Sequence, residues 1–149
     1  MDRKPFHKIL IVCMANICRS PSAEIILQSK CSALSVSSAG LKALRGKSIE
    51  VNASKQLSAN GYHLNNHVAQ QLNAQMIQES DLVLVMERYQ QQQLMRDYPA
   101  HSGKVMLLGQ WLGNQEINDP YGKSDEAFAL VFRQMEQACD TWSHKLNKL

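Results

Sequence analysis

The sequence predicts one α/β domain over residues 1–149, in which a doubly wound, four-stranded parallel sheet is flanked by helices on both faces. Two observations predict this fold class. Short runs of consecutive apolar residues recur along the chain, which is typical of parallel strands buried on both faces. Longer stretches with helical periodicity separate these runs and can cover the sheet. The length of 149 residues suits a single domain.

Four short segments are the predicted strands. Residues 9–12, 82–86 and 105–108 are apolar throughout, whereas residues 34–37 alternate between apolar and polar side chains. In a doubly wound sheet, ligands bind beyond the carboxyl ends of the strands, near the point where the strand order reverses. The segment after Val12 lies at such an end, and we therefore expect a ligand site there.

The predicted helices have recognisable start and stop residues. Pro21 opens the first helix, because the N–H that proline lacks would have no partner in the first turn. Ser48 is the predicted cap of a second helix, which stops at Asn60 and Gly61 in a left-handed turn. A third, shorter helix is predicted over about residues 68–78.

Two further helices are predicted from their apolar faces. The helix between the third and fourth strands exposes the glutamine run at 90–93, and its inner face consists of Tyr89, Leu94, Met95 and Tyr98. The last helix has an apolar stripe at spacings of three and four. Its members are Phe128, Val131, Phe132, Met135, Cys139, Trp142 and Leu146.

Composition and charge argue against several function classes. The net charge is only +3, and no basic run with interleaved aromatic residues predicts a nucleic-acid partner. No apolar run is long enough for a membrane-spanning helix or a secretory signal, which predicts a cytoplasmic protein without membrane insertion. In the cytosol the four cysteines are expected to be reduced. One C-x4-C pair and two isolated cysteines do not match a zinc site, so no metal is predicted.

The segment between the first strand and the first helix has the residue types of a phosphate site. It reads C-M-A-N-I-C-R-S over residues 13–20. A loop that enters a helix N-terminus directs several N–H groups inward, where the helix dipole favours negative charge. Arg19 can close this ring with a planar fork for two phosphate oxygens. The same groups favour the ionised sulfur of Cys13, so one site would bind phosphate and supply the nucleophile.

This segment resembles the phosphate loop of the low-molecular-weight protein tyrosine phosphatases. The resemblance runs from about residue 9 to residue 142 and implies the same fold. It also implies hydrolysis of phosphotyrosine through a phosphocysteine, without a metal or another cofactor. The further segments that carry the resemblance are S-A-G at 38–40, H-V-A-Q-Q-L at 67–72, M-E at 86–87 and D-P-Y at 119–121.

The resemblance implies three catalytic residues: Cys13 as nucleophile, Arg19 as the cation of the phosphate loop and Asp119 as general acid. The leaving phenolate has a conjugate acid with a pKa of about 10, so protonation by a carboxylic acid removes much of the difficulty. By sequence alone, Asp119 before a proline is more often a turn residue. The expected phosphate- and substrate-binding residues are Met14, Ala15, Asn16, Ile17, Cys18, Leu44 and Tyr121.

A supporting network is also implied by the resemblance. Asn16 tolerates left-handed backbone geometry better than most residues, and the family holds it through positions that are Ser20, Ser38 and His67 here. Ser20 can donate its hydroxyl to the sulfur.

Cys18 follows Cys13 at a step of five, which suggests a reversible disulfide that protects the nucleophile. A small buried filler is an equally good interpretation of Cys18.

The residues at the pocket mouth bear on the substrate. Tyr121 can stack on a substrate ring, which favours phosphotyrosine over the shorter phosphoserine. Leu44 and Gly122 stand where many eukaryotic members carry aromatic residues. The sequence therefore resembles the bacterial branch that is paired with tyrosine autokinases of exopolysaccharide and capsule production. The expected partner is a phosphotyrosine protein of this kind, and a monomer is expected.

Other functions have their own sequence requirements. A related arsenate reductase needs further cysteines to carry a disulfide away, and none lies between Cys31 and Cys139. Phosphoarginine phosphatases resemble a version of the loop with Thr in place of Ile17. A cysteine phosphocarrier would need neither Arg19 nor Asp119, and an inactive phosphotyrosine-binding module would not need all three catalytic residues. Arsenate reduction and phosphate carriage are kept as alternatives.

Overall fold

The computed structural model describes residues 6–147, so both ends of the predicted domain, residues 1 and 149, lie outside the described part. Its four strands form one sheet in the order β2-β1-β3-β4, and all three strand pairs are parallel. The predicted doubly wound α/β fold is confirmed. The strands are β1 (Lys8–Cys13), β2 (Ser35–Gly40), β3 (Leu82–Val85) and β4 (Val105–Leu107).

Five α-helices cover the sheet within the described residues. Alternate residues of β1 point to opposite faces: Ile9 and Ile11 pack on the side of α1, α2 and α5, whereas Leu10 and Val12 pack on the side of α3 and α4. This two-sided burial explains why residues 9–12 of β1 and all of β3 are apolar. The helices are α1 (Arg19–Lys30), α2 (Val51–Ala59), α3 (Ala74–Glu79), α4 (Arg88–Asp97) and α5 (Asp125–Asn147).

The strand order places a crevice at the carboxyl end of β1. The chain leaves β1 for β2 on one side and then crosses to β3 on the other side, so the order reverses at β1. Cys13 is the last residue of β1, and α1 begins at Arg19. The loop between them therefore lies at the switch point, where parallel sheets bind their ligands.

Two predicted helix starts are wrong. Glu50, not Ser48, caps α2: its carboxylate accepts a hydrogen bond of 2.9 Å from the Ala53 amide. The helix predicted over residues 68–78 begins only at Ala74, because residues 69–72 run in an extended path beside β2. Their backbone is bonded to the Lys47 carbonyl and to both polar groups of Gly40, which leaves no helical ladder there.

The inner face of α4 differs from the prediction at its first turn. Tyr89 is 46% exposed, whereas Gln90 is fully buried. The side-chain oxygen of Gln90 accepts hydrogen bonds of 3.0 Å from the amides of both Met86 and Glu87, which caps the start of the helix from inside. Leu94 is buried as predicted, and all seven residues of the predicted stripe on α5 are buried. No helix within residues 6–147 is both long and apolar enough to cross a bilayer.

Candidate active site

The loop between β1 and α1 directs its carbonyl groups away from a common centre. Each carbonyl from residue 13 to residue 18 accepts a hydrogen bond from outside the ring. In a trans peptide the N–H points opposite to the C=O, so the amides of this loop point inward. This arrangement is an anion-binding nest. The six donors are, in order, the amides of Leu41, Lys42 and Leu44 (2.9, 2.8 and 3.0 Å), His67 Nε2 (2.6 Å), and the amides of Glu50 and Ser22 (2.7 and 3.1 Å).

Asn16 is the fixed centre of the loop. Its φ of 60° lies in the left-handed region, which asparagine tolerates better than most residues, and its side chain is completely buried. Its Oδ1 accepts a hydrogen bond of 2.9 Å from the Gln70 amide, which orients the carboxamide. Its Nδ2 therefore points the other way and donates to the hydroxyl oxygens of Ser20 (2.8 Å) and Ser38 (3.0 Å).

The Cys13 sulfur receives the last hydrogen bond of this chain. Ser20 Oγ lies 2.9 Å from the sulfur and already accepts a hydrogen from Asn16, so its own hydrogen is free for the sulfur. The Ser20 amide also approaches the sulfur, at 3.4 Å. The sulfur thus receives two hydrogen-bond donors at the N-terminus of α1, where the helix dipole favours negative charge.

At its other end the chain of hydrogen bonds reaches Glu24. Ser38 accepts from Asn16 and donates to Glu24 Oε1 at 2.6 Å, while Asn65 donates to Oε2 at 3.0 Å. Glu24 is not among the site residues predicted from the sequence. Glu24 lies four residues after Ser20 on α1, and residues at that spacing share a helix face. This spacing is the one feature of the sequence that places Glu24 near the site.

Arg19 closes the ring and is itself held by two acceptors. Nη1 donates to Glu87 Oε1 at 2.5 Å and to the Ile117 carbonyl at 2.8 Å, which leaves the edge formed by Nε and Nη2 for phosphate. Burial by itself would lower the pKa of Arg19, but the negative neighbours Cys13, Glu87 and Asp119 raise it above its ordinary value. The guanidinium therefore stays charged in its buried position. In the sequence, Glu87 stands out only as part of the M-E segment at 86–87 that carries the resemblance.

Asp119 and Tyr121 stand on the outer side of the same pocket. The Asp119 side chain is half exposed, with Oδ2 3.9 Å from Arg19 Nη2 and Oδ1 accepting from the Tyr121 amide at 3.0 Å. Tyr121 is 59% exposed, whereas the Cys13 sulfur lies at the bottom with its residue 3% exposed. The pocket has a volume of about 240 Å³ and is lined by Cys13, Met14, Ala15, Ile17, Cys18, Arg19, Leu44, Asp119 and Tyr121.

Cys18 lines the pocket as a neutral thiol. Burial, followed by the negative charge of Cys13, raises its pKa well above the ordinary value. It packs against Ala53 and Phe128, as the filler interpretation predicts, and within residues 6–147 no disulfide joins it to another cysteine. The proposed disulfide with Cys13 remains a hypothesis.

All the residues that the sequence predicts for the site lie in this loop, against it or at the pocket mouth. Their catalytic roles remain predictions. Besides Glu24 and Glu87, the structure adds Gln70, which holds Asn16 and donates to the Ser38 carbonyl at 2.8 Å. Only its place in the H-V-A-Q-Q-L motif marked Gln70 in the sequence.

Comparison with known proteins places this site in a family. The family model described as "Low molecular weight phosphotyrosine protein phosphatase" matches residues 8–149. The probable low molecular weight protein-tyrosine-phosphatase AmsI of Erwinia amylovora is 44% identical over 142 residues, which are 95% of this chain and 99% of that protein.

Solved structures give the same result for the fold. Vibrio vulnificus Wzb, in complex with benzylphosphonate, superimposes with a TM-score of 0.91 at 39% identity, covering 95% of this chain and 99% of that one. The YwlE arginine phosphatase from Geobacillus stearothermophilus has a TM-score of 0.89 at 30% identity, covering 95% and 94%. The chain belongs to the low molecular weight phosphotyrosine protein phosphatase family.

Proposed function

We propose that this protein hydrolyses phosphotyrosine in proteins and that Cys13 carries the phosphoryl group between the two halves of the reaction. One observation carries the proposal. The inward amides of the loop, the Ser20 hydroxyl and the free edge of Arg19 converge on the space above the Cys13 sulfur. A phosphate dianion in that space would be neutralised by fixed dipoles and one guanidinium, directly over a nucleophile.

In the first half-reaction, the Cys13 thiolate attacks phosphorus in line with the leaving phenol. The S–P bond forms as the P–O bond breaks, and charge spreads over three equatorial oxygens that face the loop amides and Arg19. Asp119, at the pocket mouth and 3.9 Å from Arg19, donates its proton to the phenol oxygen.

In the second half-reaction, water replaces the phenol. Asp119, now a carboxylate, takes a proton from the water as its oxygen attacks phosphorus. The S–P bond breaks, inorganic phosphate leaves, and the electron pair returns to the sulfur. The Ser20 hydroxyl, 2.9 Å away, stabilises the sulfur as it becomes a thiolate again.

The shape of the pocket supports phosphotyrosine as the substrate. The sulfur lies at the bottom, and the exposed side chains of Leu44 and Tyr121 border the mouth, so the phosphoryl group has to arrive on a long, flat arm. A phosphotyrosine ring provides that length and can stack on Tyr121. Ile17 lines the pocket with an apolar surface, which suits an aromatic ring better than the guanidinium of phosphoarginine.

The proposal can be tested by measuring hydrolysis in the presence of a metal chelator. The substrates are para-nitrophenyl phosphate and matched peptides that carry phosphotyrosine, phosphoserine or phosphoarginine. We expect the phosphotyrosine peptide to be the preferred peptide. Cys13→Ser should abolish turnover, and Asp119→Ala should lower kcat on the peptide by about a hundredfold or more. Asp125→Asn, which removes an exposed carboxylate six residues away, is the matched control. Full activity in Cys13→Ser, or preference for phosphoarginine, would contradict the proposal.

We also propose a setting for this activity: a cytoplasmic monomer that acts on a tyrosine autokinase of exopolysaccharide or capsule production. The resemblance to the bacterial branch supports it, as does Leu44 at a mouth position where eukaryotic members carry an aromatic residue. We expect faster turnover of a phosphopeptide from an autokinase tail than of unrelated phosphotyrosine peptides. We also expect light scattering to give the mass of a monomer. A reversed preference would argue against this partner.

A further inference from the structure

One side of the pocket mouth is positively charged. Lys42, Arg45 and Lys47, which we call the basic rim, all have exposed side chains. They flank Leu44, which itself borders the pocket. Within residues 6–147, none of the three forms an ion pair with an acidic side chain, so their charges are available to a ligand.

The backbone of the basic rim is fixed to the phosphate loop. The amides of Lys42 and Leu44 donate to the carbonyls of Met14 and Ala15 at 2.8 and 3.0 Å. Farther along, the Lys47 carbonyl accepts from the Ala69 amide at 2.8 Å. A charge on a backbone held in this way stays near the mouth, although its side chain remains mobile.

The charge is only partly balanced within the same segment. Residues 42–50 contain the three cations of the basic rim and one carboxylate, that of Glu50, which caps α2. Beyond Tyr121, which also borders the mouth, Lys123 is followed by the exposed acidic residues Asp125 and Glu126, so that segment has no excess of positive charge. The mouth is therefore asymmetric.

Resting on the proposed function, we infer that the basic rim binds acidic residues beside the phosphotyrosine of the protein substrate. The occupant is a peptide segment, because it enters with its phosphotyrosine in the pocket. An extended chain advances about 3.3–3.6 Å per residue, so the first three residues on one side stay within about 11 Å of the mouth. Aspartate or glutamate there would meet three cations, whereas lysine would be repelled.

The test uses three phosphotyrosine peptides that differ only in flanking residues, which are glutamate, glutamine or lysine. The variant Lys42→Gln/Arg45→Gln/Lys47→Gln removes the basic rim. The control Lys8→Gln/Arg96→Gln/Arg133→Gln removes the same charge from exposed positions elsewhere, with Lys8 at the opposite end of β1. For each protein, kcat/KM on a peptide is divided by kcat/KM on para-nitrophenyl phosphate, which has no flanking residues.

At low salt, the wild-type protein should prefer the glutamate peptide to the lysine peptide by about tenfold, and 0.5 M salt should remove most of that ratio. The rim variant should lose the preference, and the control variant should keep it. Equal rates on all three peptides, or equal losses in the two variants, would overturn the inference and leave the proposed function intact. If no phosphotyrosine peptide is hydrolysed, the proposed function itself fails, and the inference fails with it.

Discussion

The substitution Gln90→Met tests how the buried start of α4 contributes to stability. Gln90 Oε1 is the acceptor for two backbone amides, those of Met86 and Glu87, at 3.0 Å each. Methionine has nearly the same length and helix propensity, so the substitution removes the acceptor with little change in shape. A buried amide without an acceptor costs about 1–3 kcal/mol, and the partly exposed Glu87 can recover part of this from water. We therefore expect a loss of about 2–4 kcal/mol in the free energy of unfolding.

Urea unfolding followed by the fluorescence of Trp111 and Trp142 measures this loss. Gln92→Met, at an exposed position two residues farther along the same helix, is the matched control and should change stability by less than about 0.5 kcal/mol. Equal changes in the two variants would refute the reasoning, as would a loss under about 1 kcal/mol for Gln90→Met with an unchanged m-value. In either case the two hydrogen bonds would not be what holds the start of α4.

Three further predictions concern other parts of the site and the core. Glu87→Gln removes the carboxylate that holds Arg19, so kcat/KM should fall about tenfold or more, with weaker inhibition by inorganic phosphate; unchanged phosphate inhibition would contradict this. Ser38→Ala deprives the Asn16 amide of a buried acceptor and should cost about 1–3 kcal/mol in urea unfolding, whereas Ser37→Ala, exposed on the same strand, should cost little. Burial raises the pKa of Cys139 above its ordinary 9.0, so above that pH the thiol ionises in the unfolded chain only and stability falls. The free energy of unfolding of Cys139→Ala should therefore fall less steeply from about pH 9.5 to 11 than that of the wild type, by up to about 1.4 kcal/mol per pH unit. Equal slopes for the two proteins would contradict this prediction.

The phosphate loop and the strand before it could be predicted because their determinants are local. Residues 9–12 are apolar throughout, and a strand of that kind has to be covered on both faces. Asn16 is of a residue type that tolerates the left-handed geometry found there. Cys13 and Arg19 stand six residues apart across a strand–helix junction, a spacing that can be recognised without tertiary information.

The supporting contacts depend on segments that are distant in the chain, and the sequence could not supply them. Glu87 is 68 residues from Arg19, and nothing in its neighbourhood marks it as the partner of a buried guanidinium. Gln90 lies in a run of four glutamines and was predicted to be exposed. It is buried because its side-chain oxygen accepts hydrogen bonds from the amides of Met86 and Glu87, just after β3. These amides come close to Gln90 only in the folded chain.

The two wrong helix starts have the same kind of cause. By residue type Ser48 is the better cap, but α2 begins at Val51, and there it is the Glu50 carboxylate that reaches the Ala53 amide. Residues 69–72 have no helix breaker, but hydrogen bonds to Gly40 and Lys47 hold them extended. Tertiary pairing overrides local preference in this segment.

Rapid quenching of Asp119→Ala during turnover of para-nitrophenyl phosphate tests the nucleophile most directly. Nitrophenolate leaves readily without a proton, so this variant should form the phosphoenzyme quickly but hydrolyse it slowly, because the base that activates water is gone. Peptide mapping of the quenched protein should find close to one phosphoryl group per chain, on the peptide that contains Cys13, and none when Cys13→Ser is added. Release of nitrophenol with no phosphoryl group on the protein, or with the group on another residue, would contradict the account.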